Sequence, residues 1–333
     1  MSEKINWGII GLGNIAAKFA ADLQYSETSQ LYGVASRNLN KAKKFSTKCN
    51  AQKYYGSYKA LANDPEIDII YVATPHVFHF ENTMMCLKQN KAVLCEKPMG
   101  MNAKEVRLMI EEARSRNLFL MEGLWTRFIP ATEKLIELLA QNVIGQVISI
   151  QADFGFKGDS NPENRVLNKN LGGGSLLDIG IYPIYLSLLV LGIPTNITAT
   201  AQLTETGVDR FCSMEFHYEN GAKADLKSTI EADTPTEAFI NGTTGTLKLH
   251  RRFHHTEKIT HTHNDEDTIL DIKYKGNGYI HEIEEVNSCF FNRNIESSKL
   301  PLQMTLDLSV VMDTIKDKIG LKYDSQRTPF LNK

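Results

Sequence analysis

The period of the apolar positions changes once along the chain. In the first third, short apolar runs alternate with stripes at helical spacing. Trp7-Gly8-Ile9-Ile10 reads as a buried strand, and Ile15, Phe19 and Leu23 then fall four apart on one face of a helix. Further strands are expected at residues 31–35, 67–73, 92–96 and 119–122. Helices striped by Phe80, Thr83, Met84 and Leu87, and by Val106, Met109, Ile110 and Ala113, lie between them. Such alternation predicts a parallel sheet with helices on both faces. Beyond about residue 123 the period becomes two. Ile148, Ile150, Ala152 and Phe154 alternate with polar neighbours, as do Ile197, Ala199, Ala201 and Leu203. Cys212, Met214, Phe216 and Tyr218, then Ala224, Leu226, Ser228 and Ile230, continue the pattern. This predicts an open, mainly antiparallel sheet with one covered face. Met304, Leu308, Val311, Ile315 and Ile319 mark one long amphipathic helix near the end. The fold class is therefore α/β: a doubly wound domain over 1–122 and an α+β domain over 123–333.

Composition narrows the class. The 333 residues are 42% hydrophobic and 23% charged, enough for two domains, and the formal net charge is −2. That charge gives no reason to expect nucleic acid or an anionic membrane as partner. Five scattered cysteines with no C-x-x-C pair fit a reducing compartment and argue against disulfides or a zinc site. The chain enters a strand directly after Met1-Ser2-Glu3-Lys4, and the longest near-apolar run, residues 179–193, is short for a bilayer span. A cytoplasmic protein without a leader is expected.

The candidate chemistry sits at the strand ends. Gly11-Leu12-Gly13-Asn14-Ile15-Ala16 is a G-x-G-x-x-A run between a strand and a helix, the fingerprint of a Rossmann dinucleotide-binding turn. Gly11 allows the tight turn, Gly13 lets backbone approach a pyrophosphate, and Ala16 lets helix and strand pack closely. Asn14 and Ile15 open the helix whose N–H groups would face the phosphates. The strand at 31–35 ends in Ser36-Arg37 where an acidic residue would read the ribose of NAD. A guanidinium there suits a 2′-phosphate, so NADP is the expected cofactor with NAD possible; otherwise Arg37 is a surface residue opening the next helix. Thr74, Pro75 and His76 follow the next strand and are further candidate cofactor contacts. The strand at 92–96 stops at Glu96-Lys97-Pro98. Because ligands sit at the carboxyl ends of parallel strands, Glu96 and Lys97 are candidate cofactor contacts, and Lys97 a candidate catalytic group; otherwise it is a solvated lysine ending an ordinary strand. His76 and His79, without a third ligand at suitable spacing, read as loop and helix-cap residues rather than a metal pair. The run His250, His254, His255, His261 and His263 reads as a solvated polar loop in a strand–loop region, with a metal tract as the alternative. In the second domain Gly172-Gly173-Gly174 frees the backbone, and Asp178 and Tyr182 four apart would share a helix face. They form either a polyol grip or a cap and a packed ring.

In their order, G-x-G-x-x-A, Glu96-Lys97-Pro98 and Gly172-Gly173-Gly174…Asp178…Tyr182 resemble the glucose-fructose oxidoreductase/inositol dehydrogenase (Gfo/Idh/MocA) family. Residues 125–130 and 177–183 are most similar to its dimeric dihydrodiol dehydrogenase and NADP-dependent D-xylose dehydrogenase branch. The resemblance implies NAD(P)-dependent oxidation or reduction of sugars, polyols or cyclic trans-diols, and association as a homodimer or homotetramer. It implies Lys97 as active-site lysine, Asp178 as substrate contact, and a cis peptide before Pro98. Much of the family carries histidine where this chain has Tyr182, while the dihydrodiol branch resembles it in having tyrosine as proton donor or acceptor.

Free tyrosine and lysine both titrate near pH ~10, so either needs help to act as a base at neutral pH. A cation beside a phenol favours the tyrosinate. Tyr182 is therefore read as general acid/base with Lys97 as its electrostatic partner, the reverse assignment staying open. Trp125 and Phe154 are candidates for an apolar wall against a ring substrate, or are ordinary core. A dinucleotide-binding sensor of the same fold is the alternative function, although such a protein would need neither Lys97 nor Tyr182.

Overall fold

The computed structural model describes residues 4–159 and 161–323. They form two compact units. The first runs through Arg127 and takes in Lys275–Leu306; the second comprises Phe128–Tyr274 and the stretch from Asp307.

The first unit alternates strand and helix: β1 (Ile5–Ile10), α1 (Asn14–Leu23), β2 (Ser29–Ala35), α2 (Leu39–Cys49), β3 (Lys53–Tyr55), α3 (Tyr58–Ala62), β4 (Ile69–Val72), α4 (His79–Lys88), β5 (Ala92–Glu96), α5 (Ala103–Ser115) and β6 (Leu120–Gly123). The sheet is parallel throughout, in the order β3-β2-β1-β4-β5-β6. Strand order reverses at β1 and β4, which opens a ligand crevice at their carboxyl ends. Every residue of β4, β5 and β6 is buried, as expected of strands covered on both faces. Asn102 starts α5 directly beyond the turn after β5. Its side chain accepts from Glu105 N–H while Glu105 accepts from Met101 N–H, so that helix start is closed from both sides.

The second unit carries α6 (Pro130–Ala140), β7 (Val147–Gly155), α7 (Ile181–Leu191), β8 (Asn196–Leu203), β9 (Asp209–His217), β10 (Lys223–Thr229), β11 (Ala238–Gly242), β12 (Gly245–Leu249), β13 (Lys258–His263) and β14 (Glu266–Asp271). Its sheet has the order β14-β13-β12-β11-β7-β10-β9-β8, antiparallel except for the central β7–β10 pair. Ile148 departs from the expected alternation and is 49% exposed. The register slips between Asn241 and Gly242, which leaves Ile148 opposite the irregularity. The stretch Lys169–Leu191, which passes through the glycine corner into α7, is long and apolar enough to cross a membrane, longer than the 179–193 stretch suggested. Because 83% of its apolar window is buried inside the protein, α7 is a core helix.

Helix α8 (Ile280–Phe291) belongs to the first unit, although the expected division at 122 assigned it to the second. It packs there because Trp7 Nε1 reaches Asn287 Oδ1 at 3.1 Å and Ser29 Oγ at 3.2 Å, burying the indole with its donor satisfied. Helix α9 (Leu302–Lys318) follows, and Leu302 and Leu306 join the first unit's core.

Candidate functional site

The β1–α1 turn is built on two glycines with different demands. Gly11 has φ +87°, and a Cβ there would meet the Ala73 carbonyl group at 2.5 Å. Only glycine fits that close approach to the end of β4. Gly13 has open space instead, with no atom within 4 Å of a Cβ, and it precedes α1 without a side-chain cap. No acidic residue occupies the first turn of α1, which begins at Asn14 and Ile15. Exposed helix-start amides beside an unfilled space fit a dinucleotide pyrophosphate. At the end of β2, Ser36 Oγ accepts from Asn38 N–H at 3.1 Å, and exposed Arg37 lies 5.9 Å from the Phe78 ring centroid. Beyond β4, Thr74 and His76 are buried with Pro75 extended between them. The expected cofactor residues thus gather at the carboxyl ends of β1, β2, β4 and β5.

The turn after β5 holds Lys97, half-buried, with a cis peptide to Pro98. Glu96 is buried, takes a very short hydrogen bond from the Tyr71 hydroxyl, and accepts from Lys97 N–H at 3.2 Å. Two further side chains grip this turn. His79 Nδ1 lies 2.8 Å from Pro98 O and Nε2 lies 2.7 Å from Thr74 O, so His79 is a buried brace rather than a loop or cap residue. Glu122, at the expected end of β6, accepts from Met99 N–H at 2.8 Å. Its recognisable signal was the one Glu96 gave, a carboxylate closing a buried strand. In the same unit Trp125 stacks on Tyr279 at 4.6 Å and 11°, a partner no local pattern reveals.

In the second unit the glycine tract is a packed corner. Gly174 has φ +113°, and a Cβ there would fall 2.2 Å from Asp209 Oδ1. Asp209 Oδ2 accepts from Ser175 Oγ at 2.6 Å and Leu176 N–H at 2.7 Å, and burial pushes its carboxyl up to about 6. Leu176–Gly180 forms a π turn leading into α7, a feature common at functional sites. It carries Asp178, whose Oδ2 accepts from Arg165 Nη2 at 2.9 Å. Tyr182 is buried, with ring centroids 5.7 Å from Phe154 and 4.7 Å from His254. His254 stacks on Phe154 at 4.4 Å and 22°. That corrects the reading of residues 250–263 as a solvated polar loop: His254 is 7% exposed in an aromatic cluster, and the segment contains β13. Phe154 therefore has its place beside Tyr182 within one unit, and Trp125 has its own aromatic partner in the other. Among the described residues no group of three or more His, Cys, Asp or Glu could hold a metal ion.

The comparisons cover almost the whole chain. The sequence model of the GFO_IDH_MocA oxidoreductase family, NAD-binding Rossmann fold, matches residues 5–124, and that of the GFO/IDH/MocA C-terminal domain matches 132–248. Trans-1,2-dihydrobenzene-1,2-diol dehydrogenase from Mus musculus is 36% identical over 332 residues, covering 97% of this chain and 99% of that protein. Its Xenopus laevis namesake is 38% identical, covering 95% and 98%. The 3-ketoreductase KijD10 from Actinomadura kijaniata, solved with NADP and TDP-benzene, superposes with a TM-score of 0.87 at 24% identity over 95% of this chain and 98% of that one. An aldose-aldose oxidoreductase from Caulobacter crescentus gives 0.87 at 22% identity over 96% and 98%.

Proposed function

The chain belongs to the Gfo/Idh/MocA family of nicotinamide-dependent oxidoreductases, and from that premise we propose that it is an NADP-preferring dehydrogenase acting on a secondary alcohol of a cyclic trans-diol, sugar or polyol. Cyclic trans-diols lead because relatives named for one are 36–38% identical over nearly full length. The observation that carries the reading is Tyr182, a buried phenol flanked by the rings of Phe154 and His254 beside a π turn bearing Asp178. Such a face can receive a ring with hydroxyls.

When bound, the dinucleotide supplies the hydride acceptor. Gly11, Gly13 and the start of α1 cradle its pyrophosphate, Ser36 and Arg37 take the 2′-phosphate, and Thr74, Pro75, His76 and Glu96 complete the contacts. Lys97 steadies the oxygen of the alcohol as its proton leaves, by holding an ammonium where negative charge develops. Tyr182 receives that proton in oxidation and returns it in reduction. Asp178 accepts from a substrate hydroxyl, and Phe154 and Trp125 line the ring. A panel of trans-cyclohexanediol, trans-dihydrobenzenediol, pentoses, hexoses and inositols with NADP, read by absorbance of the reduced nicotinamide, tests this. Turnover of a trans-diol supports the reading; NADP binding with no turnover on any member favours a sensor of the same fold.

We also propose a cytoplasmic homodimer or dimer of dimers. The five cysteines are free and buried, in keeping with a reducing compartment. The second unit's sheet leaves single apolar residues exposed on separate strands, Ile148 on β7, Leu203 on β8 and Ile269 on β14, and two-fold association would cover its open face. Sedimentation at micromolar concentration should give at least twice the chain mass, and a monomer would refute the assembly.

A further inference from the structure

The peptide group between Pro98 and Met99, one residue beyond Lys97, is held at both ends by buried ionisable side chains. Its carbonyl, Pro98 O, lies 2.8 Å from His79 Nδ1, and its N–H, on Met99, donates to Glu122 Oε1 at 2.8 Å. His79 is wholly buried at the start of α4, and Glu122 is 2% exposed near the end of β6. Burying two such groups is costly, and backbone alone satisfies most turns, so their placement here asks for a reason. Lys97 lies within electrostatic reach of both. Through Nε2, His79 also reaches Thr74 O at 2.7 Å, which ties the Lys97 turn to the loop after β4. Gly123 adds to the fit, since a Cβ there would stand 3.2 Å from Glu96 Cα.

We propose that His79 and Glu122 are positioning residues for Lys97, holding the Pro98–Met99 peptide from its two ends and so fixing where the ammonium is presented. This rests on the reading of Lys97 as the group that steadies the reacting oxygen.

The charge states give the device a pH dependence. Burial pushes His79 down to about 4, so at pH 7 it carries one N–H and donates to one of its two carbonyls at a time. The groups facing it are Lys97, the two carbonyls and the His76 ring, whose centroid is 5.8 Å away. Burial pushes Glu122 up to about 7, with Glu96 adding to the shift and Lys97 opposing it. Met99 N–H, the Thr305 hydroxyl and the buried Cys95 thiol also face Glu122; the Thr305 hydroxyl lies alongside without completing a hydrogen bond. An acid of this strength gains its charge as pH rises through 7. The carboxylate then accepts more strongly from Met99 N–H and favours the Lys97 ammonium.

The deciding measurement needs no substrate. Trace acetylation of Lys97 by acetic anhydride in the full-length protein, followed by peptide mass spectrometry across pH, reports the free-amine fraction and its accessibility. Glu122→Gln keeps an acceptor for Met99 N–H and deletes the charge, so Lys97 labelling at pH 8 should rise about three- to tenfold. His79→Asn keeps a donor near the Nδ1 position and should label as wild type. His79→Gln, whose amide reaches the Nε2 position instead, should differ at least threefold. Wild-type labelling profiles in both Glu122→Gln and His79→Gln would overturn the proposal, and if His79→Gln does not fold, Glu122→Gln decides alone. On a substrate from the panel, Glu122→Gln should also lose the limb of the kcat profile near pH 7 while the KM for NADP holds. Lys97→Met is run beside it. Surviving turnover there would sink the reading of Lys97 while leaving the labelling result to decide the positioning.

Discussion

At the scale of single residues, the chemistry here is set by what each side chain is denied. Arg37 is denied nothing; it is exposed at the end of β2 with Ser36 beside it and no acidic residue in that place. Losing a charge-assisted contact costs ~1.5–3 kcal/mol, so Arg37→Asp should weaken NADP about ten- to a hundredfold and NAD far less. Titration of both dinucleotides by fluorescence checks this, and equal losses would remove Arg37 as the phosphate reader. Glu282 is the opposite case. It is wholly buried, and neither carboxyl oxygen has a hydrogen-bond partner among the described residues. Burial raises its proton affinity well above the carboxylate range, with Glu96 and Asp22 pushing the same way. The folded protein therefore binds that proton more tightly than the unfolded chain, and stability falls as pH rises from the ordinary carboxyl range upward. Glu282→Gln should flatten the decline of melting temperature between pH 5 and 8; parallel curves would show that Glu282 does not set it. Arg37, Lys97 and Tyr182 could be singled out in the sequence because motifs flank them. Glu282 and His79 could not, because burial without a partner, or a grip on one peptide, is a property of the fold; Glu122 shows in the sequence only as a carboxylate closing a buried strand.

At the scale of elements, the alternating strands and helices of the first unit were legible because each covers its neighbour in sequence. Three-residue β3 was not, since so short a run has no period. Nor was the attachment of α8, because an apolar stripe tells which face is covered and not what covers it. One buried carboxylate does much of that work. Asp22, near the end of α1, accepts from Asn277 N–H and Asn277 Nδ2 at 2.9 and 2.8 Å and from Tyr279 N–H at 2.8 Å. It thereby pins α1, the helix after the β1–α1 turn, to the segment that carries Tyr279, which in turn backs Trp125. Asp22→Ala would leave those buried donors unmet at a cost of about 2–4 kcal/mol. Thermal denaturation should register a fall of several degrees, while Asp22→Asn, which keeps one acceptor, should lose less. Equal stability in wild type and Asp22→Ala would mean that α8 is held by its apolar face alone.

At the scale of the molecule, the change of period near residue 123 separates two kinds of sheet, and the proposed chemistry draws on both. The first unit supplies Lys97 on a turn held by His79 and Glu122; the second supplies Tyr182 among Phe154 and His254. If the two units serve one reaction, their contributions cannot be independent. Tyr182→Phe keeps the ring and removes only the group that exchanges a proton, so turnover should fall about 10²–10⁴-fold. NADP affinity, which we assign to Gly11, Gly13 and Arg37, should hardly move. Lys97→Met should be at least as damaging, since on the proposed mechanism it removes the charge meant to favour a tyrosinate and steady the oxygen. The double variant should then be little worse than the worse single one, because residues acting as a unit are not additive. Steady-state kinetics of the four proteins on one trans-diol decide the matter. Losses that multiply would mean that Lys97 and Tyr182 act on separate steps. Near-normal turnover in Tyr182→Phe would pass the proton to Lys97 or to water, and leave the aromatic cluster of the second unit with recognition as its whole task.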